Sequence, residues 1–330
     1  MSVMKRVACF WLILFFAVFL RLELALWLPE GVIFDEETHL QLIRGEYALG
    51  EPTLEAYLSN KPTYYFLLSP FRAAPLFDLR LFSVFLGGLL VILTYFIVRE
   101  VSTVKIALFS SGLTAFMPLY VQLGALVNSD SLAIVFSFLM ALMLLKNLKT
   151  FKFRFLILAE VFMVLAFITK PTAFFLAIPF IIAVSRQIYV THEFKYLYSL
   201  IPLSFPLMFF NIGAINLLTV SNPFSLRFLF EFPVFFEAFL MDFVFPQLMH
   251  PFYSVLALPI LLYFGLLFSR VFFNLRKIQL SFLEVFLFSF LVFNLVEIVF
   301  LNFYSVWSQG RYLLFSGFAL NYFIVRGLFK

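Results

Sequence analysis

Apolar runs long enough to cross a lipid bilayer recur along this chain from end to end. A membrane-spanning helix needs roughly 17 to 25 mostly apolar residues, with some latitude for its interfacial ends. Such runs occur near residues 7–28, 80–98, 104–125, 131–146, 154–170, 172–186, 196–218, 252–273, 280–303 and 311–326. The pattern predicts an all-α, polytopic membrane protein with about ten transmembrane helices.

The composition excludes a soluble protein of this length. Of the 330 residues, 64% are hydrophobic and 52 are phenylalanine, more apolar surface than a soluble core can hide. The first run lacks a small-residue cleavage site, so we interpret it as an uncleaved helix rather than a signal peptide. Cys9 is the single cysteine, which rules out an intramolecular disulfide. We expect one membrane domain over residues 1–330, without a soluble C-terminal domain.

The distribution of charge predicts the orientation. If the N-terminus is cytoplasmic, 15 of the 23 basic residues fall at inner ends and loops, seven fall outside and Arg21 lies within the first helix. This asymmetry obeys the positive-inside rule. The same topology puts 12 of the 18 acidic residues outside. We therefore expect both termini in the cytoplasm of a plasma-membrane protein and its reactive side outside. Because the basic residues flank spans, the net charge of +5 does not indicate nucleic-acid binding.

The first outer loop, residues 29–79, carries an acidic segment, Asp35-Glu36-Glu37-Thr38-His39. Asp35 is a good helix N-cap and the two glutamates favour a helix dipole, so capping alone is one interpretation. Asp35, Glu36 and His39 also share one face of a helix, which suits a general base or a metal ligand. The spacing leaves these readings open and provides no support for a divalent metal or another cofactor. Apolar positions within 36–49 predict an interfacial helix here, and a second is predicted in the fourth outer loop, 219–251.

Further polar residues lie at the outer ends of the spans. Arg21 lies in the first helix, where charge is costly enough to indicate function. Asp130 is predicted to cap the fourth helix. The remaining basic and aromatic candidates are Lys61, Arg80, Lys170, Arg311 and Tyr312. Each also has an ordinary reading as a turn residue or as part of an interfacial belt of Trp, Tyr and Arg. Arg311 follows Gly310, and a guanidinium there suits an anionic headgroup.

Taken in order, these residues resemble a known superfamily. The pattern is Arg21, Asp35-Glu36, Lys61-Pro62-Thr63-Tyr64-Tyr65, Arg80-Leu81-x-Ser83-x-x-x-Gly87, Asn128-x-Asp130, Thr169-Lys170-x-Thr172 and Gly310-Arg311-Tyr312. It is similar to that of the polytopic C-type (GT-C) glycosyltransferases, which include protein O-mannosyltransferases and lipid A aminoarabinose transferases. Lys61 and Thr63 depart from the family, where His and a second Pro are common.

The resemblance implies an outward-facing cavity in which an acceptor attacks a sugar carried on a polyprenyl phosphate. Asp35 would be the catalytic base, supported by Glu36. Arg311, with Tyr312, Lys61, Arg80 or Lys170, would stabilise the leaving phosphate, while Arg21, His39 and Asp130 support the site. The implied partners are the lipid-linked donor, membrane lipids and an acceptor that is a glycan, a lipid or a protein.

Two other interpretations stay open. Glu160 and Glu297 lie in or near spans, where they would suit a transporter or flippase of a lipid-linked saccharide. A non-catalytic membrane scaffold is the third interpretation, although the presence of Asp35 argues against it.

Overall fold

A computed structural model describes residues 3–30, 36–46, 62–203, 279–304 and 310–329. The described part contains helices and no strand. The α-helices are α1 (Val3–Trp27), α2 (Glu36–Arg44), α3 (Pro62–Leu68), α4 (Leu76–Val101), α5 (Val104–Phe116), α6 (Pro118–Leu123), α7 (Ser129–Thr150), α8 (Phe153–Thr169), α9 (Ala177–Thr191), α10 (Phe282–Tyr304) and α11 (Gly317–Leu328). Short 3-10 helices cover Ser69–Phe71, Pro171–Leu176, Phe194–Leu203 and Gly310–Ser316.

Four helices of the described residues are long and apolar enough to cross a membrane: Met4–Trp27, Leu76–Val101, Ser129–Thr150 and Pro171–Thr191. Val104–Phe116 and Leu313–Leu328 are apolar but shorter. The all-helical prediction is confirmed for this part of the chain, whereas ten spans stay a prediction. The expected span at 252–273 and the interfacial segment 219–251 lie outside the described residues.

The helix α7 is the centre of the packing. It contacts α4 and α8 along its length, and most of its side chains are buried, including Phe138, Met140 and Leu144. On the other side of α4, the helix α1 packs against α4 and α5 through small side chains such as Ala17 and Ala25. One flank of α1 therefore faces the bundle, while large residues such as Trp11 and Phe15 are exposed, as expected for a lipid-facing surface.

Pro118 breaks the third predicted span. The apolar run 104–125 predicts one helix, but α5 ends at Phe116 and Pro118 begins α6. Proline has no N–H group, so it cannot donate to the carbonyl of Thr114 four residues earlier. The break redirects the chain into α6 and the short connection to α7, where the motif Asn128-x-Asp130 begins.

The first turn of α7 differs from the prediction in its cap. Asn128, not Asp130, is the N-cap, because the Asn128 side chain accepts a hydrogen bond from the Ser131 amide at 2.9 Å. The prediction that Asp130 caps this helix is therefore wrong. Asp130 lies within the first turn, where its carboxylate is positioned to pair with another part of the protein.

The predicted interfacial helix of the first outer loop begins where expected. It is the nine-residue α2, Glu36–Arg44, shorter than the predicted 36–49. Its apolar residues Leu40, Leu42 and Ile43 are buried, and the helix contacts α3 and the 3-10 turn that follows it. Packing against these elements fixes the orientation of Glu36 and His39.

Candidate active site

Glu36 and Arg80 form a buried ion pair at the C-terminal end of α1. The Arg80 Nε atom donates to Glu36 Oε1 at 3.0 Å, and Nη2 donates to Oε2 at 2.6 Å. Both side chains are at most 2% exposed. This two-bond geometry matches the planar guanidinium to the planar carboxylate, so α2 and α4 are joined in one defined orientation.

The remaining donors of Arg80 bind the end of α1. Nη1 donates to the carbonyl oxygens of Ala25 and Leu28 at 2.9 and 2.6 Å, and Nη2 donates to Pro29 at 3.0 Å. Carbonyls at a helix C-terminus have no partner within the helix and favour a cation. A guanidinium has five N–H donors, and all five are engaged here. This geometry leaves no Arg80 donor for the lipid phosphate assigned to it by sequence.

Glu36 also holds the connection between α6 and α7. The amide of Val127 donates to Glu36 Oε1 at 2.9 Å. The buried carboxylate therefore joins three segments: α2, the start of α4 and the connection that leads into α7. Nothing in the residue pattern indicated this contact, because it depends on a backbone amide.

Asp130 and Lys170 form a second buried ion pair beside the first. The Lys170 Nζ atom donates to Asp130 Oδ1, which joins the first turn of α7 to the residue that follows α8. The exposed fraction is 7% for the lysine side chain and 4% for the aspartate. Two residues predicted to belong to one site are thus brought together.

An aromatic cluster lies close to Glu36 and Asp130, the acidic members of the two ion pairs. The His39 Nδ1 atom and the Tyr65 hydroxyl share a hydrogen bond of 2.8 Å, and the Tyr64 ring packs edge-on against both residues. Burial raises the pKa of the Tyr64 phenol well above its ordinary value, and Tyr65, Glu36 and Asp130 act in the same direction. Tyr64 therefore presents a neutral hydroxyl near both acidic groups. In the sequence, Tyr64 stands out only as part of the motif Lys61-Pro62-Thr63-Tyr64-Tyr65.

Arg21 lies deeper in the bundle and binds the helix break at Pro118. Its Nη1 atom donates to Ala17 and Ala115 carbonyls at 2.8 and 3.1 Å, and Nη2 donates to Thr114 at 3.3 Å. Thr114 is the residue whose carbonyl loses its partner at the proline. The fully buried Arg21 thus stabilises the end of α5, as Arg80 stabilises the end of α1.

Two glycines make room for the Arg21 side chain. A Cβ atom at Gly87 would lie 2.5 Å from Arg21 Nε, and a Cβ atom at Gly124 would lie 2.6 Å from the same atom. Gly87 was quoted from the sequence as part of the Arg80 motif, and its close contact with Arg21 is a physical reason for a glycine there.

The side chains of four site candidates lie outside the described part of the chain. Asp35 and Lys61 lie outside the described residues. Arg311 and Tyr312 follow Gly310 in the 3-10 helix Gly310–Ser316, and the structure describes only the backbone of these two residues. Within the described ranges, no group of three His, Cys, Asp or Glu side chains could hold a metal ion.

A known protein family matches part of the chain. The model of the dolichyl-phosphate-mannose-protein mannosyltransferase family matches residues 67–209. This match confirms the resemblance to the GT-C glycosyltransferase superfamily. The matched range includes Arg80, Asp130 and Lys170, whereas Asp35 and Arg311 lie outside it. No curated protein matches the chain. Over residues 67–209 the chain is thus similar to a membrane glycosyltransferase family, and its apolar helices fit an integral membrane protein.

Proposed function

We propose that this protein transfers a sugar, a hexose such as mannose, from a polyprenyl-phosphate donor to an acceptor at the outer face of the membrane. The observation that carries the proposal is the family match over residues 67–209, together with two buried ion pairs from the predicted site residues. A hydroxyl or another nucleophile of the acceptor attacks the anomeric carbon. The bond from that carbon to the phosphate oxygen breaks, and the polyprenyl phosphate leaves.

Asp35 is the proposed general base. It takes the proton from the acceptor as the new glycosidic bond forms, a role that contributes typically 10²- to 10⁴-fold to a rate. Glu36 is the next residue in the chain, and Arg80 and Val127 hold its carboxylate.

The proposal divides the cations between two roles. Arg311, with Tyr312, Lys61 and Lys170, stabilises the charge that develops on the leaving phosphate. Arg80 is a positioning residue, because its five donors serve Glu36 and the end of α1.

Three further residues support this arrangement. Asp130 orients the Lys170 ammonium through their ion pair. His39 orients the aromatic cluster through its hydrogen bond with Tyr65. Arg21 supports the site from inside the bundle by stabilising the helix break that leads to Val127.

The decisive experiment compares Asp35→Asn with Glu37→Gln. Glu37 is exposed in α2 and has no role in the proposal, so its substitution is a matched loss of one carboxylate. Membranes that contain each variant receive polyprenyl-phosphate mannose labelled in the sugar, and transfer to membrane glycans, lipids and proteins is measured.

We expect Asp35→Asn to lose about 100-fold or more of the transfer rate and Glu37→Gln to stay within twofold. Equal transfer by wild type and Asp35→Asn would overturn the assignment of the base. Movement of the labelled lipid across the bilayer without transfer would indicate a transporter instead.

A further inference from the structure

A groove of about 370 Å³ lies between the end of α1 and the helix break at Pro118. Leu20 and Leu24 of α1 line one side, and Phe116 and Val121 line the other. Phe116 is half exposed, and Leu20 is 38% exposed. The groove therefore opens on the flank of α1 that is available to lipid, and its walls are apolar.

One carboxylate lies in this apolar groove. Glu23 contributes to the lining, and the Trp27 Nε1 atom donates to Glu23 Oε2 at 3.0 Å. Glu23 precedes the last residue of α1 by four positions, which is about 6 Å along a helix axis. Trp27 is 79% exposed, as expected for an aromatic residue at the membrane interface. We therefore infer that the Glu23 carboxylate lies at the level of the lipid headgroups, at the end of the apolar groove, which suits a hydrocarbon chain.

The charge selects among the lipids that could enter. A carboxylate has about four acceptor positions, so Glu23 can bind donors in addition to Trp27. A primary ammonium carries three N–H donors and a positive charge, and it also interacts favourably with the face of an indole. An anionic phosphate headgroup would be repelled by Glu23. The same repulsion disfavours a polyprenyl-phosphate donor, whose phosphate is attached directly to the chain.

We propose that this groove binds an aminophospholipid of the phosphatidylethanolamine type. Its ammonium contacts Glu23 and Trp27, and one acyl chain lies between Leu20, Leu24 and Val121. The site is separate from the ion pairs at Glu36 and Lys170 and does not depend on the proposed transferase activity. Its position across the joint between α1 and the Pro118 break means that a bound lipid would stabilise the contact that Arg21 makes from the inside.

The test uses the full chain, purified in detergent and depleted of lipid. Phosphatidylethanolamine and phosphatidylglycerol with identical acyl chains are titrated, and binding is followed by the thermal unfolding midpoint and by native mass spectrometry. For wild type we expect phosphatidylethanolamine to bind and to raise the midpoint more than phosphatidylglycerol, since a ligand of the native state stabilises by mass action. Equal responses to the two lipids would overturn the proposal.

Glu23→Gln separates binding from a structural role. A glutamine Oε1 atom still accepts the Trp27 hydrogen bond, so a residue that only held the indole would tolerate this change. We expect about tenfold weaker phosphatidylethanolamine binding, the effect of losing one hydrogen bond to a charged group. Unchanged preference in this variant would overturn the proposal. Glu30→Gln, at an exposed residue nearby, is the matched control and should bind as wild type does.

A second variant tests the groove as the lipid site without changing the Glu23 carboxylate. Val121→Trp fills the groove without altering Glu23 and should abolish the lipid response. If Glu23→Gln fails to fold, Val121→Trp decides the question, and full lipid binding by that variant would contradict the groove as the site.

Discussion

The Glu36 carboxylate meets the Arg80 guanidinium along its edge, through two hydrogen bonds of 3.0 and 2.6 Å. Neither charged group is exposed to solvent, and each binds further groups besides its partner. Arg80 also donates to carbonyls at the end of α1, and Glu36 also accepts a hydrogen bond from the amide of Val127. The pair thus connects the first helix to the entrance of the central helix α7. The proposed base, Asp35, is the residue that precedes Glu36 in the chain.

Removing the charge of Glu36 should destabilise the protein as well as inactivate it. Glu36→Gln leaves the buried Arg80 cation without its counter-charge, and breaking a buried pair in this way costs about 3–5 kcal/mol. We expect a lower unfolding midpoint and a reduced transfer rate. Unfolding in mixed detergent micelles measures the first and the labelled-donor assay the second. Glu37→Gln is the control, because that side chain is exposed; equal stability of the two variants would contradict the role of the pair.

Arg80→Lys tests geometry at constant charge. Lysine keeps the positive charge but has three donors on a flexible chain, so it cannot serve the carboxylate and three carbonyls together. We expect a loss of stability on the order of 1–3 kcal/mol from the carbonyls left without partners, and a lower kcat with little change in the donor KM. Arg72→Lys, at an exposed arginine, should change neither quantity. A raised donor KM with normal stability would instead return Arg80 to the phosphate site.

The sequence predicted which residues gather at this end of the bundle better than it predicted what each one does. Arg80 and Glu36 were both expected in the outer site, and they lie together. Their partnership depends on backbone carbonyls and an amide, and a residue pattern carries no information about which of these are free. Asn128 and Asp130 are both good helix caps; Asn128 caps α7, while Asp130 pairs with Lys170, 40 residues later.

The helix break at residue 118 illustrates the other limit. The run 104–125 is mostly apolar, so the span was predicted as continuous, although Pro118 itself was a visible signal for a break. The proline leaves the Thr114 carbonyl without its helical donor. Arg21, more than 90 residues earlier in the chain, donates to this carbonyl instead. The sequence shows that an arginine and a proline each lie inside an apolar run. It does not show that the arginine binds the helix end at the proline, because that contact depends on the tertiary structure.

Removing the charge of Lys170 should weaken donor binding and also destabilise the protein, because the Asp130 carboxylate is buried. Lys170→Gln removes a cation proposed for the lipid phosphate and takes the counter-charge from Asp130. We expect the KM for polyprenyl-phosphate mannose to rise about tenfold or more, since a charge-assisted hydrogen bond contributes roughly 1.5–3 kcal/mol. Lys152→Gln, at an exposed lysine, controls for net charge. The KM comparison is repeated with Asp130→Asn/Lys170→Gln, in which no unbalanced carboxylate remains. A normal KM in that double variant would exclude Lys170 from phosphate binding.

Two Gly→Ala substitutions test whether the Arg21 side chain requires a glycine at residue 87. Gly87→Ala places a methyl group 2.5 Å from Arg21 Nε and 2.6 Å from Cδ, whereas Gly112→Ala meets no atom within 4 Å. Both glycines lie in apolar helices, so alanine improves helix propensity by up to about 1 kcal/mol at each. Arg21 cannot move aside without losing its bonds to Ala115 and Thr114, and overpacking costs typically 1–3 kcal/mol.

We therefore expect Gly87→Ala to lower the free energy of unfolding in mixed micelles and Gly112→Ala to leave it equal or higher. Repeating Gly87→Ala in an Arg21→Ala background removes the clash. The penalty should shrink by a coupling energy of about 0.5–3 kcal/mol, as for residues in direct contact. An equal penalty with and without Arg21 would show that the cost of the methyl group at Gly87 arises elsewhere, against the second close neighbour, the Gly124 backbone at 3.2 Å.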